Sequence, residues 1–179
     1  MSIGVCAIAH TGRARAGIFT VVAAWTATAT ANATPEQLLE VLTHPEEIRR
    51  WSPVSFDLGE SDDARLDAGA RVRVTGRLAG VAVGFDVEVH AAGDSGLELS
   101  ADGPIGLDVR YEVTGDGTGS ELSASVAMRR GGGLRGRLVA NAAATLLSAG
   151  ALDSATRRIA DAAESQLSSR ESELWALAA

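Results

Sequence analysis

Lysine is missing altogether from the 179 residues; the sixteen basic side chains are all arginine. A phosphate-binding loop of the Walker type is therefore excluded, since its lysine is what reaches the β- and γ-phosphates. The same bias, with heavy use of alanine and glycine, reads as GC-rich bacterial coding. Cysteine is nearly as scarce. Cys6 stands alone, which excludes an internal disulfide and any cysteine-built metal site and points to a reducing compartment. Apolar runs are short: none approaches the roughly 20 residues that a membrane span needs, so no integral membrane segment is expected. Positive charge is in deficit, with a net charge of -7 and a pI near 4.9. The broad basic footprint required for wholesale binding of nucleic acid or anionic membrane is therefore lacking. No secretory leader is read at the start, because the apolar run Ile3 to Ala9 comes before Arg13 and Arg15 rather than after them. The expectation is a cytoplasmic protein that binds no nucleic acid and uses no cofactor or metal. Residues 1–17 form an N-terminal tail in this reading, either disordered or a mis-assigned start.

What is present suffices for one domain. At 46% hydrophobic the chain can build a core of its own and is too short for two ordinary domains. The domain is placed at residues 18–169, with 170–179 a C-terminal tail. The apolar end of that tail, Leu174 to Ala179, resembles the Leu-Ala-Ala terminus of a bacterial degradation tag. The dominant segment is Leu134 to Leu167, free of proline, with Gly136 near its start and one late glycine, Gly150. Its Leu138, Ala142, Leu146, Ala149, Leu152, Ile159, Ala163 and Leu167 recur at helical spacing as one continuous stripe. Arg135, Ser148, Asp153, Arg157, Asp161, Glu164 and Ser168 take the opposite side. A straight helix of that length would reach about 50 Å, more than a small sheet needs, so a bend near Gly150 or fraying at one end is expected.

The rest alternates with a period of two. Phe19 to Thr30 reads as a first strand. Thr34-Pro35-Glu36-Gln37 reads as a helix start with a capping box, leading a short helix to Leu42, and Thr43-His44-Pro45-Glu46 opens a second that runs to about Trp51. Ser52-Pro53 stops it, and Val54, Phe56 and Leu58 begin another strand. Between residues 71–78 and 81–90 a two-residue turn at Ala79-Gly80 dictates the register: opposed positions sum to 159. Arg73 then faces Asp86 and Arg71 faces Glu88 on one side, with Val72 against Val87 and Val74 against Phe85 on the other. Three further strands follow, carrying Leu97, Leu99 and Ala101, then Leu107, Val109, Tyr111 and Val113, then Leu122, Ala124, Val126 and Met128. One dry sheet face and one apolar helical stripe are buried most economically against each other.

This order of elements resembles the helix-grip fold of the START-like superfamily, also called SRPBCC, which includes bacterial polyketide cyclase/dehydrase and lipid-transport proteins. The local likeness lies in Ala33-Thr34-Pro35-Glu36-Gln37-Leu38-Leu39-Glu40-Val41-Leu42, then His44-Pro45-Glu46, then Arg50-Trp51-Ser52-Pro53, with His44 where an aspartate is common. It covers about Phe19 to Leu167. The resemblance implies an α+β fold with a seven-stranded antiparallel sheet wrapped around a long C-terminal helix, and two short helices after strand 1. It also implies a cavity between sheet and helix for a small hydrophobic ligand, lipid-like or polyketide-like.

On that basis the pocket is expected at Trp25, Trp51, Phe56, Val74, Phe85, Val87, Leu99, Val109, Tyr111, Val126, Met128, Asn141 and Leu146, an almost wholly apolar set as ligand sites usually are. The alanine stripe supports a hollow, although the same residues could simply pack on one another. Tyr111 and Asn141 are the candidates for orienting a carbonyl or hydroxyl. Asp86, Glu88 and His90 resemble an acid/base set, but the register turns them outward beside arginines. Ser52 has no histidine expected beside it and is no nucleophile candidate. Arg129, Arg130, Arg135 and Arg137 surround Gly131-Gly132-Gly133 at the start of the long helix. They could hold an anion such as a ligand carboxylate, or be a solvated loop. Carriage of the ligand is the leading function, a cyclase or dehydratase acting in the same cavity is the alternative, and a protein-binding module resembling co-chaperones of this fold is the third.

Overall fold

The structure, a computed structural model, describes residues 21–58, 65–78, 80–93, 95–115, 119–129 and 131–177, and their side chains except at Leu58 and from residue 167 onward. Residues 1–17, Phe19, Arg130 and the side chains of Leu167, Ser168 and the tag-like terminus lie outside them.

The alternating segments become strands β1 (Val21–Ala31), β2 (Phe56–Leu58), β3 (Arg71–Leu78), β4 (Val81–Gly93), β5 (Gly96–Asp102), β6 (Gly106–Gly115) and β7 (Ser120–Arg129). They form one seven-stranded sheet in the order β1-β7-β6-β5-β4-β3-β2, every neighbour antiparallel. The β3–β4 register is the expected one: Arg71 opposes Glu88, Val72 Val87, Arg73 Asp86 and Val74 Phe85, down to Leu78 against Val81. Gly80 at the turn has φ +81, a conformation that tight hairpin turns call for and glycine adopts without a steric penalty. Both charge pairs form on the outer face, Arg71 with Glu88 at 3.1 Å and Arg73 with Asp86. All four side chains are largely exposed, so each pair contributes a few tenths to about 1 kcal/mol and chiefly discourages other registers. His90, at a β-bulge in β4, bonds the Ser100 hydroxyl at 2.8 Å on that outer side.

Helices α1 (Pro35–Thr43) and α2 (Pro45–Trp51) close one end of the sheet. Proline at the first position of each costs no hydrogen bond there, and the Thr34 N–H donates to Gln37 Oε1 at 2.8 Å, the reciprocal half of the capping box. Helix α1 buries Leu38, Leu39, Val41 and Leu42 in the main core with Leu97, Val113, Leu122 and Ile159. The strand expected from Val54 begins only at Phe56. The Ser52 hydroxyl donates to the Val54 carbonyl at 2.9 Å, and the Val54 N–H approaches the same oxygen at 3.3 Å, so a local turn keeps Val54 out of the ladder.

The long helix is two helices, α3 (Gly133–Ser148) and α4 (Ala151–Leu177). They meet at Gly150, whose φ is +90, and the axes bend there by 57°. The bend falls where it is expected, but the single stripe does not survive it. On α4, Leu152, Ile159 and Ala163 are buried, joined by Ala155 and Ala160. On α3 the inward residues are Gly136, Val139 and Ala143, whereas Leu138 and Leu146 are 62% and 38% exposed and Ala149 is exposed. A positive-φ residue between two helices resets the rotational phase, so a stripe traced through it is wrong on one side. Close approach also selects the inner face: a Cβ on Gly136 would stand 2.7 Å from the Pro104 carbonyl oxygen. The α4 backbone stays helical to Leu177, through most of the stretch read as a tail.

Candidate functional site

Between the dry face of the sheet and the two C-terminal helices lies a cavity of about 290 Å³. Its floor is Val74, Gly76 and Leu78 of β3, Val83 and Phe85 of β4, Leu107, Val109 and Tyr111 of β6, and Val126 of β7, with Ile105 just before β6. Its roof is Ala143, Leu146 and Leu147 of α3 and Ala151, Leu152 and Ala155 of α4. The segment Trp51 to Phe56 borders one side. Pro53, Val54 and Ser55 are exposed there, and Leu146 is partly so, which marks this side as the mouth.

The hollow follows from the roof. Ala143, Ala151 and Ala155 end at Cβ, so although Ala143 and Ala155 also pack in the core on one side, they fill little of the space between helices and sheet. At about 24 cal/mol per Å³ of void, a sealed and empty hollow of this size would cost on the order of 7 kcal/mol, comparable with the whole stability of an ordinary domain. Larger side chains at those alanines would remove that cost, so the composition of the roof opposes stability in favour of space.

Of the expected pocket residues, the structure brings Trp51, Phe56, Val74, Phe85, Val109, Tyr111, Val126 and Leu146 to the cavity wall. Trp25, Val87, Leu99, Met128 and Asn141 are elsewhere. Trp25 reaches along β1 to the helix break, where its Nε1 donates to the Ser148 hydroxyl at 3.3 Å. Val87 faces inward but cross-pairs with Val72 and Ala101, and Leu99 packs against the main core. Met128 joins Ile105, Val139 and Ala143 in a second cluster beneath α3. Asn141 is exposed, on the outer side of α3, and only its backbone carbonyl is used, accepting from the Thr145 hydroxyl at 2.8 Å. It cannot orient a guest in the cavity. The wall also contains residues not foreseen. Leu78 and Val83 follow from extending the hairpin register by two pairs, and Ala155 from a phase counted on α4 alone. Ile105 comes from the Asp102–Gly106 connection, where no periodicity exists to reveal it.

Tyr111 is the chemically distinctive wall residue. It is 7% exposed, and the Trp51 ring meets it edge-on, centroids 5.9 Å apart at 71°. Trp51 is itself fixed by donating its Nε1 proton to the Val41 carbonyl at 3.2 Å. Burial pushes the Tyr111 phenol well above its ordinary pKa, so it is a neutral donor and acceptor throughout the physiological range. No hydrogen-bond partner for its hydroxyl occurs among the described residues. The wall residues include no carboxylate and no imidazole. Asp86, Glu88 and His90 lie on the outer face, as the register requires.

The arginine cluster is divided. Arg129 points to the outer face of the sheet, where its side chain, 11% exposed, binds Asp102 at 2.9 Å and Asp108 at 3.1 Å. Its anions are the protein's own carboxylates, which removes it from any shared external-anion site. Arg135 and Arg137 are exposed on α3. Among the described residues, no three His, Cys, Asp or Glu side chains are grouped as a metal site requires. Among the described residues, no single helix is long and apolar enough to cross a membrane.

The likeness to known proteins agrees with this architecture. Among solved structures, a protein of Thermus thermophilus superposes with a TM-score of 0.62 at 13% identity, over 80% of this chain and 99% of its own. The Zhui aromatase/cyclase from Streptomyces sp. R1128 does so at 0.62 and 13%, over 81% and 95%. A START superfamily protein from Mycobacterium smegmatis gives 0.52 and 16%, over 76% and 98%. At such identities the likeness is one of fold. No curated protein has a matching sequence. Residues 23–164 match the family described as Polyketide cyclase / dehydrase and lipid transport. Since the match runs from β1 to the middle of α4, the chain belongs to that family.

Proposed function

We propose that the protein binds and carries a small, uncharged, largely apolar molecule, lipid-like or polyketide-like, in the cavity between sheet and helices. The observation that carries this reading is the wall itself: apolar on nearly every side, and carrying Tyr111, whose hydroxyl has no protein hydrogen-bond partner among the described residues. An apolar wall takes an apolar body. A charged group buried among those apolar side chains would lose its hydration at a cost of several kcal/mol, and the cation among the lining residues, Arg77, is exposed rather than buried with them. A guest with one carbonyl or hydroxyl opposite Tyr111 would satisfy the phenol and gain about 0.5–1.5 kcal/mol from that bond.

A cyclase or dehydratase needs groups that move protons, and beyond Tyr111 the wall supplies none. Carriage therefore accounts for the site with fewer assumptions. A protein-binding role for the outer sheet face gains no support from Arg71 and Arg73, whose charges are already met by Glu88 and Asp86. Native mass spectrometry of the protein purified from its own host tests the proposal. The expected result is an adduct of a few hundred daltons that is released on unfolding. Protein that is bare in every preparation, and that fails to take up a fluorescent apolar probe, would refute it.

A further inference from the structure

We propose that the outer face of α3 is a docking surface for an anionic lipid bilayer, with Leu134 and Leu138 entering the interface and Arg135 and Arg137 contacting the headgroups. The first two turns of helix α3 are apolar on two sides, before Asn141 and Thr145 take the outer side. Its inner side packs Val139 and Ala143 beneath the sheet, while its outer side presents Leu134 at 79% and Leu138 at 62% exposure. A helical segment that exposes two leucines opposite a buried face is expected to be covered there as well. At 100° per residue, Leu134 and Leu138 stand near the centre of the outer side, with Arg135 and Arg137 on its two flanks. Long arginine stems can lie along an apolar surface while their guanidinium groups reach phosphate.

Charge distribution identifies the partner. The chain carries 23 acidic residues and a net charge of -7, yet none of its carboxylates lies between Glu121 and Asp153, a stretch with four arginines. Arg129 is neutralised by Asp102 and Asp108, whereas Arg135 and Arg137 have no carboxylate partner among the described residues. This stretch of an otherwise acidic chain is therefore positively charged, as docking on an anionic surface requires. Leu134 and Arg137 also line a groove of about 640 Å³ with Val22, Met128 and Gly136. Val22 is 48% exposed, so the apolar patch continues from the helix onto the start of β1. The same helix turns Ala143, Leu146 and Leu147 toward the cavity, which places the docking face on the element that roofs it. The inference does not depend on what the cavity holds.

The test is co-sedimentation of the full chain with vesicles of phosphatidylcholine alone and of phosphatidylcholine mixed with phosphatidylglycerol. The variants are Leu134→Glu with Leu138→Glu, and Arg135→Glu with Arg137→Glu; circular dichroism checks that both fold, and all four positions are exposed. The expected result is sedimentation with the anionic vesicles only, weakened by salt and reduced at least about thirtyfold in apparent affinity by the arginine reversal, since loss of the two cations alone removes about 1 kcal/mol each near the surface. The leucine pair should also abolish it. Absence of sedimentation with either vesicle, or binding that the leucine variant leaves unchanged, overturns the proposal. So does self-association by light scattering that the leucine variant abolishes while no vesicle is bound, since the face would then meet a second copy of the chain.

Discussion

Tyr111 is the only tyrosine in the chain, and its burial separates its proton from that of the same residue in the unfolded state. A free phenol ionises near pH 10, whereas in the folded protein desolvation raises that value. The contribution to stability is therefore fully present below about pH 10 and is lost as pH rises above it toward the folded value, because the unfolded chain releases its proton first. Tyr111→Phe should flatten this alkaline decline in urea denaturation while leaving stability near neutral pH within about 1 kcal/mol, since no protein hydrogen bond is removed. It should also weaken the guest by roughly two- to tenfold. Tyr111 is legible as a candidate from alternation alone, which puts the one phenol on the dry face. Asn141 is misplaced because its assignment relies on the phase of a helix that does not continue.

Elements divide in the same way. The antiparallel neighbours from β3 to β7 follow from a period of two and short turns, because shifting a strand by one residue would carry its whole apolar set to the wet face, whereas no turn announces β1 beside β7. The helices are less forgiving. Gly136, which takes no part in the apolar stripe, is the residue that lets α3 approach the Pro104 carbonyl. Replacing it with alanine would force a contact under 3 Å against backbone, and thermal denaturation should show a loss of about 1–3 kcal/mol, as for an overpacked core. Gly150→Ala should cost about 1 kcal/mol by a different mechanism, the left-handed φ of +90. There a Cβ would meet nothing closer than Asp153 Oδ2 at 3.9 Å. Were α3 and α4 one straight rod in solution, neither glycine would matter beyond its helix propensity.

At the scale of the whole molecule, the fold is readable because its layers satisfy one requirement, the burial of a single sheet face by a single side of the C-terminal helices. The cavity's exact wall is not, since it depends on the angle between those helices and on a connection, Asp102 to Gly106, without periodicity. Ala155→Leu and Ala143→Leu should each fill the hollow. The expected outcome is unchanged or raised thermal stability together with loss of apolar-probe uptake; a fall in stability of several kcal/mol without loss of uptake would mean that these alanines already pack against protein. Alanine is among the commonest roof residues, on helices whose positions are held by the outer core around Leu38, Leu122 and Ile159. The bore of the chamber can consequently be retuned one methyl group at a time without shifting its walls, so related chains can diverge in what they hold while keeping the same frame.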